Sequence, residues 1–492
     1  MLCACHPATP VTRAERSGYT ETSHYDDVVA FVQTIPRRER GTLGTTTEGR
    51  AIPYLIVSRV AASPADAHAR GIPVVYVQAN IHAGEVEGKE ALLALLRDLT
   101  RDARINVLDS VLVIAVPIYN ADGNERFAPQ SVNRTEQNGP ELVGQRPNGQ
   151  GLDLNRDYVK AEAPETRASL AAFNRWDPDV FVDLHTTDGS FHGYALTYAP
   201  SLWPGADPYT RDSILPELRR RMRARDGFET FDYGNFEGAP AAWKTYDDRP
   251  RFGTNYIGLR GRIAILSEAY SHDPFERRVK ATYAFVHEIL SLVAERRVHH
   301  APRLTAVPIR AEMTSTPFVA PVVREALVPT GDSSLTQPGV PRGMRRSGTL
   351  TPIDMQVYDR FVASLTVPIP AGYLVPVADT AALRLLRLHG IVARRIDSPV
   401  RGVEEYAIDS VRHDSAAFQG HRQTHLSGHW RPRSGPLDAA GTYVIVPGDQ
   451  PLAELAVYLL EPESDDGLVT WNVLDPNLAP GAVYPVLRLV RE

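Results

Sequence analysis

Cysteine is nearly missing from this chain. Its 492 residues include two, Cys3 and Cys5, both within the first five positions. The body therefore holds neither a disulfide nor a thiolate, and any metal centre must be built from His, Asp and Glu. Long apolar runs are also lacking. The best, Val111–Ile118, is strand-sized and far short of a bilayer span. Positive charge is not in excess either: a formal net charge of −6 gives no footing for nucleic acid or an anionic membrane surface.

What is present is an ordinary globular composition in a chain too long for one core, so two domains are expected. Residues 1–22 read as a flexible lead-in. Within them Leu2-Cys3-Ala4-Cys5 resembles a bacterial lipobox with Cys5 as the acylated residue, although the charged and apolar segments that precede such a box are absent. The expectation is an extracytoplasmic protein, periplasmic or secreted, with Cys5 as the lipid anchor if there is one.

From 23 to 297 strand-like and helix-like patterns alternate. Val28, Val29, Phe31 and Val32 follow a helical period, Ile52–Val57 is plainly apolar, and Val74–Asn80 is a β-branched buried strand ending in a turn. A helix follows from about Val86 to Leu99. A polar, aperiodic stretch then runs from Asn120 to Asn155, the kind of long loop that is either functional or disordered. Glu165–Trp176 and Tyr209–Arg225 read as helices, Val180–Leu184 and Arg262–Leu266 as strands, and Phe228–Tyr256 as an aromatic-rich irregular region. Asp273 is expected to cap a helix that starts at Pro274. The fold class is thus α/β, a mixed central sheet with helices on both faces. Residues 298–352, richer in proline, serine and glycine, read as an extended linker. Residues 353–492 read as a smaller α/β or mostly β domain with no function apparent from its sequence.

The chemistry gathers at the strand ends, where open α/β sheets bind ligands. His82-Ala-Gly-Glu85 places an imidazole and a carboxylate at the lip of the Val74 strand, with Gly84 expected to ease the backbone bend. Alone this spacing is weak, since His82 could cap the helix and Glu85 could favour its positive end. Three further stretches change the balance: Gly151-Leu152-Asp153-Leu154-Asn155-Arg156-Asp157, Val182-Asp183-Leu184-His185 and Ile265-Leu266-Ser267-Glu268. Together, and in this order, the four resemble the zinc carboxypeptidase family, the carboxypeptidase A-like metallopeptidases, over about Tyr25 to Val293.

That resemblance implies one Zn²⁺ held by His82, Glu85 and His185, with a fourth position open for an activated water. It implies Asp153 as the carboxylate that fixes the ring of His82. Glu268 would be the general base and acid, its pKa raised by partial desolvation. An ion pair of Glu268 with Arg260 or Arg262 is the structural alternative. Asn155 and Arg156 would grip the free carboxylate of the substrate. Arg146 would steady the developing oxyanion, with Arg134 as its rival. The tyrosine that closes over the substrate has no spacing match; Tyr256 is the nearest candidate and Tyr270 the next. Glu87 and Glu90 are rival carboxylates near His82, expected to face solvent or to pair with Lys89 and Arg97.

The function so implied is a metallocarboxypeptidase that hydrolyses the C-terminal peptide bond of a peptide bearing a free carboxylate. The alternative keeps fold and metal but acts as an amidase or deacylase on acyl-amino acids or peptidoglycan stem peptides. A second alternative, a binding module on a relic hydrolase, is disfavoured by the complete set of motifs. His421, His425 and His429 recur at steps of four, but Gly420 and Gly428 argue against a helix and no carboxylate partner is evident. They read as surface or core histidines, as do His192 and His299–His300, while Trp430 and Trp471 read as core.

Overall fold

The computed structural model describes residues 9–102, 104–296, 302–474 and 478–490. Cys3, Cys5, His299 and His300 lie outside the described residues. The organising element is an eight-stranded sheet: β1 (Glu39–Thr45), β2 (Ala51–Val57), β3 (Val74–Ala79), β4 (Leu112–Val116), β5 (Val180–Thr186), β6 (Leu196–Pro200), β7 (Thr230–Asp232) and β8 (Ile263–Ala269). Their spatial order is β1-β2-β4-β3-β5-β8-β6-β7. The four central strands β4, β3, β5 and β8 run parallel, while β2 and β6 pair antiparallel on either side.

Strand alternation explains why both faces are covered. Val75 and Val77 point to one face, where they join Leu92 and Leu96 of α1 (Glu87–Arg101) and Phe285 and Ile289 of a 21-residue helix further on. Val74 and Tyr76 point to the other, against Phe173 and Trp176 of α2 (Pro164–Trp176) and Ile257 of α3 (Gly253–Leu259). The long helix, α4, runs Phe275–Glu295. Its N-cap is Pro274 and not the expected Asp273, whose carboxylate instead reaches forward to Arg277 at 2.8 Å.

Several readings need correction. The expected lead-in holds a short capped helix, Arg13–Arg16, whose Ala14 is fully buried and whose Glu15 pairs with Arg97 at 2.7 Å. The segment read as a linker carries β9 (Ala306–Thr314), β10 (Val319–Pro329) and the start of β11 (Met344–Tyr358), with β10 and β11 forming a long hairpin. Proline and glycine there punctuate paired strands, β9 with residues 360–368 and β10 with β11, and a reading of local composition does not show pairing. Glu87 and Glu90 do not face solvent. Both are fully buried: Glu87 takes the Thr186 hydroxyl and sits 3.4 Å from Arg278, and Glu90 accepts from Thr22 and Ser23. Lys89 is buried as well, and bonds the Ser23 carbonyl and Asn124.

Beyond these strands lies a six-stranded antiparallel sheet, which includes β12 (Gly372–Pro376), β13 (Val403–His413) and β14 (Thr424–Pro432). Its companion helices, Thr380–Leu388 and Ala453–Leu460, belong to the same apolar cluster as Tyr76 and Phe173. The C-terminal region therefore packs directly on one covered face of the main sheet. The apolar run Ile391–Ile396 contributes only a two-residue strand, Arg394–Arg395. His421, His425 and His429 do have carboxylate partners, in Glu162, Asp414 and Asp409 at 2.8, 3.1 and 3.4 Å, and are not gathered at one point. Trp471 is buried, and Trp430 is half-buried against Tyr406 and Arg488. No helix among the described residues is long and apolar enough to cross a membrane.

Acidic side chains crowd the seam between the two sheets. Arg251, almost fully buried, pairs with Asp466 at 2.8 Å, and Asp247, Asp248 and Asp465 lie close by. Burial, then the charges of Asp465 and Asp247, push the Asp248 carboxyl up to about 8; burial brings Asp465 to about 6. Both folded values exceed those of an unfolded chain, so the folded state holds protons that the unfolded state has released. Stability from these groups is complete below about pH 4 and is lost as pH rises towards 8. Asp248→Asn should therefore show a smaller decline in urea midpoint between pH 5 and pH 8.5 than the wild type. An identical decline in both proteins would refute the assignment.

Candidate active site

The parallel strands β3, β5 and β8 end side by side, and the site is built on those ends. After Ala79 the chain reverses through Asn80, whose φ is +65°. The left-handed residue is thus Asn80, not Gly84. Gly84 is required for space: a Cβ there would lie 2.7 Å from Arg134 Cγ and 2.8 Å from the Gly144 carbonyl. The tight turn, closed by the Glu85 N–H on the His82 carbonyl at 3.0 Å, brings both side chains to one point.

His185 meets them from β5. His82 Nδ1 lies 3.0 Å from one oxygen of Glu85, His185 Nδ1 lies 3.1 Å from the other, and the two Nδ1 atoms are 3.2 Å apart. All three residues are about 97% buried. On the far side of each ring a carboxylate waits: Asp153 at 3.0 Å from His82 Nε2, and Asp183 at 3.0 Å from His185 Nε2. Carboxylates there favour the proton on Nε2, which leaves two nitrogen lone pairs facing each other across 3.2 Å. That arrangement is repulsive unless a proton or a metal cation sits between them. Two neutral imidazoles and a carboxylate suit Zn²⁺, and among the described residues this is the one cluster of His, Asp and Glu with the spacing for a metal ion.

Electrostatics separate the two glutamates. Burial disfavours the charge of Glu85, but His82 and Arg134 outweigh it and hold the carboxyl well below the ordinary range. Glu268 is Cα-paired with His185 across β8 and β5, and is 7% exposed. Burial, helped by the charges of Glu85 and Asp188, pushes it well above that range despite His185 and Arg134. The alternative ion pairs are not formed: Arg260 bonds the His389 carbonyl and Asn174, and Arg262 pairs with Asp177.

The other expected residues divide. Arg146, Asn155 and Arg156 line a cavity of about 90 Å³ together with His82, Glu85, His185 and Glu268. Arg146 donates to Asp153 at 2.9 Å and keeps a third of its side chain exposed. Arg134 is buried and committed, to Glu85 at 3.1 Å and to the carbonyls of Thr186 and Thr187. Asn155 accepts the Gly253 N–H, and Arg156 stacks 4.0 Å over Phe252.

Tyr256 is a correction. Helix α3 turns it into the core, where it is fully buried and its hydroxyl meets His389 Nδ1 at 2.7 Å. Tyr270 packs on His192 and Arg346, outside the cavity. The tyrosines that line it are Tyr233 and Tyr246, 5.8 Å apart between ring centroids, with Phe252 next in the row. They come from the aromatic-rich stretch after residue 228, which lacks a period that would tell cavity wall from core. Asp183 and Asp188 were also missed. Asp183 was legible, since residues two apart on a strand share a face.

Comparison with known proteins agrees with this geometry. Residues 25–228 match the family model for zinc carboxypeptidases, Peptidase_M14. Residues 25–228 are thus similar to zinc carboxypeptidases, and the chain is a zinc metallopeptidase. Carboxypeptidase 2 of Trichophyton equinum is 25% identical over 478 residues, covering 90% of this chain and 81% of the relative. Carboxypeptidase 2 of Trichophyton rubrum is 24% identical over the same length and coverage. Among solved structures, a metallo-carboxypeptidase from Burkholderia cenocepacia shares 22% identity, covering 55% of this chain and 69% of that one, with a TM-score of 0.42.

Glu268 lies beyond the matched stretch, so in this metallopeptidase its place is read from strand register. The two carboxylates behind the histidines have a measurable consequence. Asp153→Asn and Asp183→Asn should each weaken zinc binding by about 10–100-fold, read by competition with a chromogenic chelator. Unchanged affinity in both variants would remove these aspartates from the site.

Proposed function

We propose that this metallopeptidase acts as a carboxypeptidase, releasing the last residue of a peptide, with Glu268 moving the protons and Asn155 and Arg156 holding the terminal carboxylate. The observation that carries the reading is the position of Glu268. A buried acid with a raised pKa stands one strand away from His185, in the same small cavity as Arg146 and Arg156.

His82, Glu85 and His185 would hold a zinc ion, which would supply Lewis-acid chemistry to the site. The remaining work falls to side chains. Glu268, neither strongly acidic nor solvated, is suited to take a proton from water and return it to the leaving amine. Burial presses on the charge of Arg156, which lies 3.9 Å from Asp153 and has no closer carboxylate among the described residues. A substrate carboxylate entering the cavity relieves that desolvation and finds a planar fork to bind. Arg146, anchored through Nε to Asp153 and reaching Glu85 with Nη1 at 3.4 Å, leaves Nη2 to meet an oxyanion, whereas Arg134 commits both terminal nitrogens. Tyr233 and Tyr246 replace Tyr256 as candidates for the group that covers the bound residue.

Two measurements test the reading together. Glu268→Gln should retain one zinc per chain while kcat falls by about 10²–10⁴-fold. A peptide and its C-terminally amidated twin should differ by about 100-fold or more in kcat/KM, from loss of the charged contact to Arg156. Equal turnover of the twins, or faster turnover of an N-acyl amino acid than of any peptide, would replace the carboxypeptidase with the amidase or deacylase. Full activity of Glu268→Gln would remove Glu268 from the reaction.

A further inference from the structure

The hairpin of β13 and β14 reaches from the C-terminal sheet to the catalytic cavity. At its tip Phe418 and His421 exchange backbone hydrogen bonds of 2.8 and 3.0 Å, so Gln419 and Gly420 alone close the turn. Both have positive φ, 50° and 84°. A turn of this kind takes Asn or Gly readily, whereas the left-handed region disfavours glutamine. The strained residue is the one that touches the site: Gln419 Oε1 accepts the Asp153 N–H at 3.1 Å.

The tip is braced on both sides. His421 lies 2.8 Å from Glu162 and 3.0 Å from Asn472, and the Arg251 guanidinium stacks 5.2 Å over Phe418 and 4.8 Å over Trp471. Phe418 nevertheless remains 38% exposed. With Gln419 it walls a groove of about 500 Å³ whose far side is Val132 and Glu136. Arg146, Arg156 and Asp188 line both this groove and the 90 Å³ cavity, so the two are continuous. The second appended hairpin, β10–β11, closes in on the far wall: a Cβ on Gly339 at its tip would lie 2.7 Å from Glu136 Cα.

The cavity has room for little more than one residue, so the peptide leading to the scissile bond has to pass through the groove. We infer that Phe418 is a substrate-binding residue, an aromatic platform for apolar or aromatic side chains upstream of the scissile bond, and that Gln419 is a positioning residue that docks the platform on Asp153. The inference rests on the carboxypeptidase reading and adds to it a role for the C-terminal region.

The test compares kcat/KM for an N-acetyl dipeptide and an N-acetyl tetrapeptide with leucine or phenylalanine at the upstream positions. Their ratio, taken on one sample, does not depend on how much of the protein is folded. Phe418→Ala should lower the tetrapeptide-to-dipeptide ratio by about tenfold, chiefly through the tetrapeptide KM, and Phe418→Trp should restore it. A ratio equal to that of the wild type would overturn the inference and leave the carboxypeptidase intact. Failure of the wild-type, zinc-loaded chain on both peptides would overturn the carboxypeptidase reading and this inference with it.

Discussion

Everything at the site depends on the parallel pairing of β5 with β8. The register sets Glu268 beside His185, and the spacing of adjacent strands fixes the distance between the acid and that imidazole. Neither side chain could hold that position from a loop. Both strands are buried along their whole length, so the two groups meet where water is scarce and charges act strongly. The β3 turn is then the adjustable part. It brings His82 and Glu85 to the rigid pair, and it can do so only because no Cβ on residue 84 stands between the turn and Arg134.

The same residue type is driven in opposite directions within a few ångströms. Glu85 is surrounded by donors and cations, including the Thr186 N–H, Arg134 and both imidazoles, and stays ionised. Glu268 has the burial without that company and resists ionisation. One carboxylate is thereby suited to hold a cation, the other to exchange a proton. Behind them, Asp153 and Asp183 each lie 3.0 Å from the far ring nitrogen, and Asp153 also collects Arg146 and the Gln419 tip. Asp153 is thus the point where the C-terminal region is wired to the catalytic centre.

How much of this could be read from the sequence follows from how local each signal is. His82 and Glu85 share one turn, and a turn is a short-range object. His185 and Glu268 each end an apolar run, which is visible without knowing what pairs with it. Asn155 and Arg156 were singled out through their neighbours, and both line the cavity. Tyr256 was misread because a spacing along the chain does not give the rotation of a seven-residue helix, and α3 turns that ring inward. Glu87 and Glu90 looked solvated because α1 has an amphipathic pattern; their partners Thr186, Arg278, Thr22 and Ser23 lie far away in sequence. The strands of 306–358 were hidden for the same reason, since they are defined by what they pair with.

The continuous apolar cluster under α2 and α3 has a consequence for any attempt to shorten the chain. His389 Nε2 donates to the Val159 carbonyl and its Nδ1 accepts from the Tyr256 hydroxyl, and Asn174 donates to the Leu388 carbonyl. A polypeptide ending near residue 296 would bare this greasy flank and strand those buried polar atoms without mates. Such a fragment would be prone to self-association, whatever the state of its metal ligands. For this molecule the minimal enzyme is the long one.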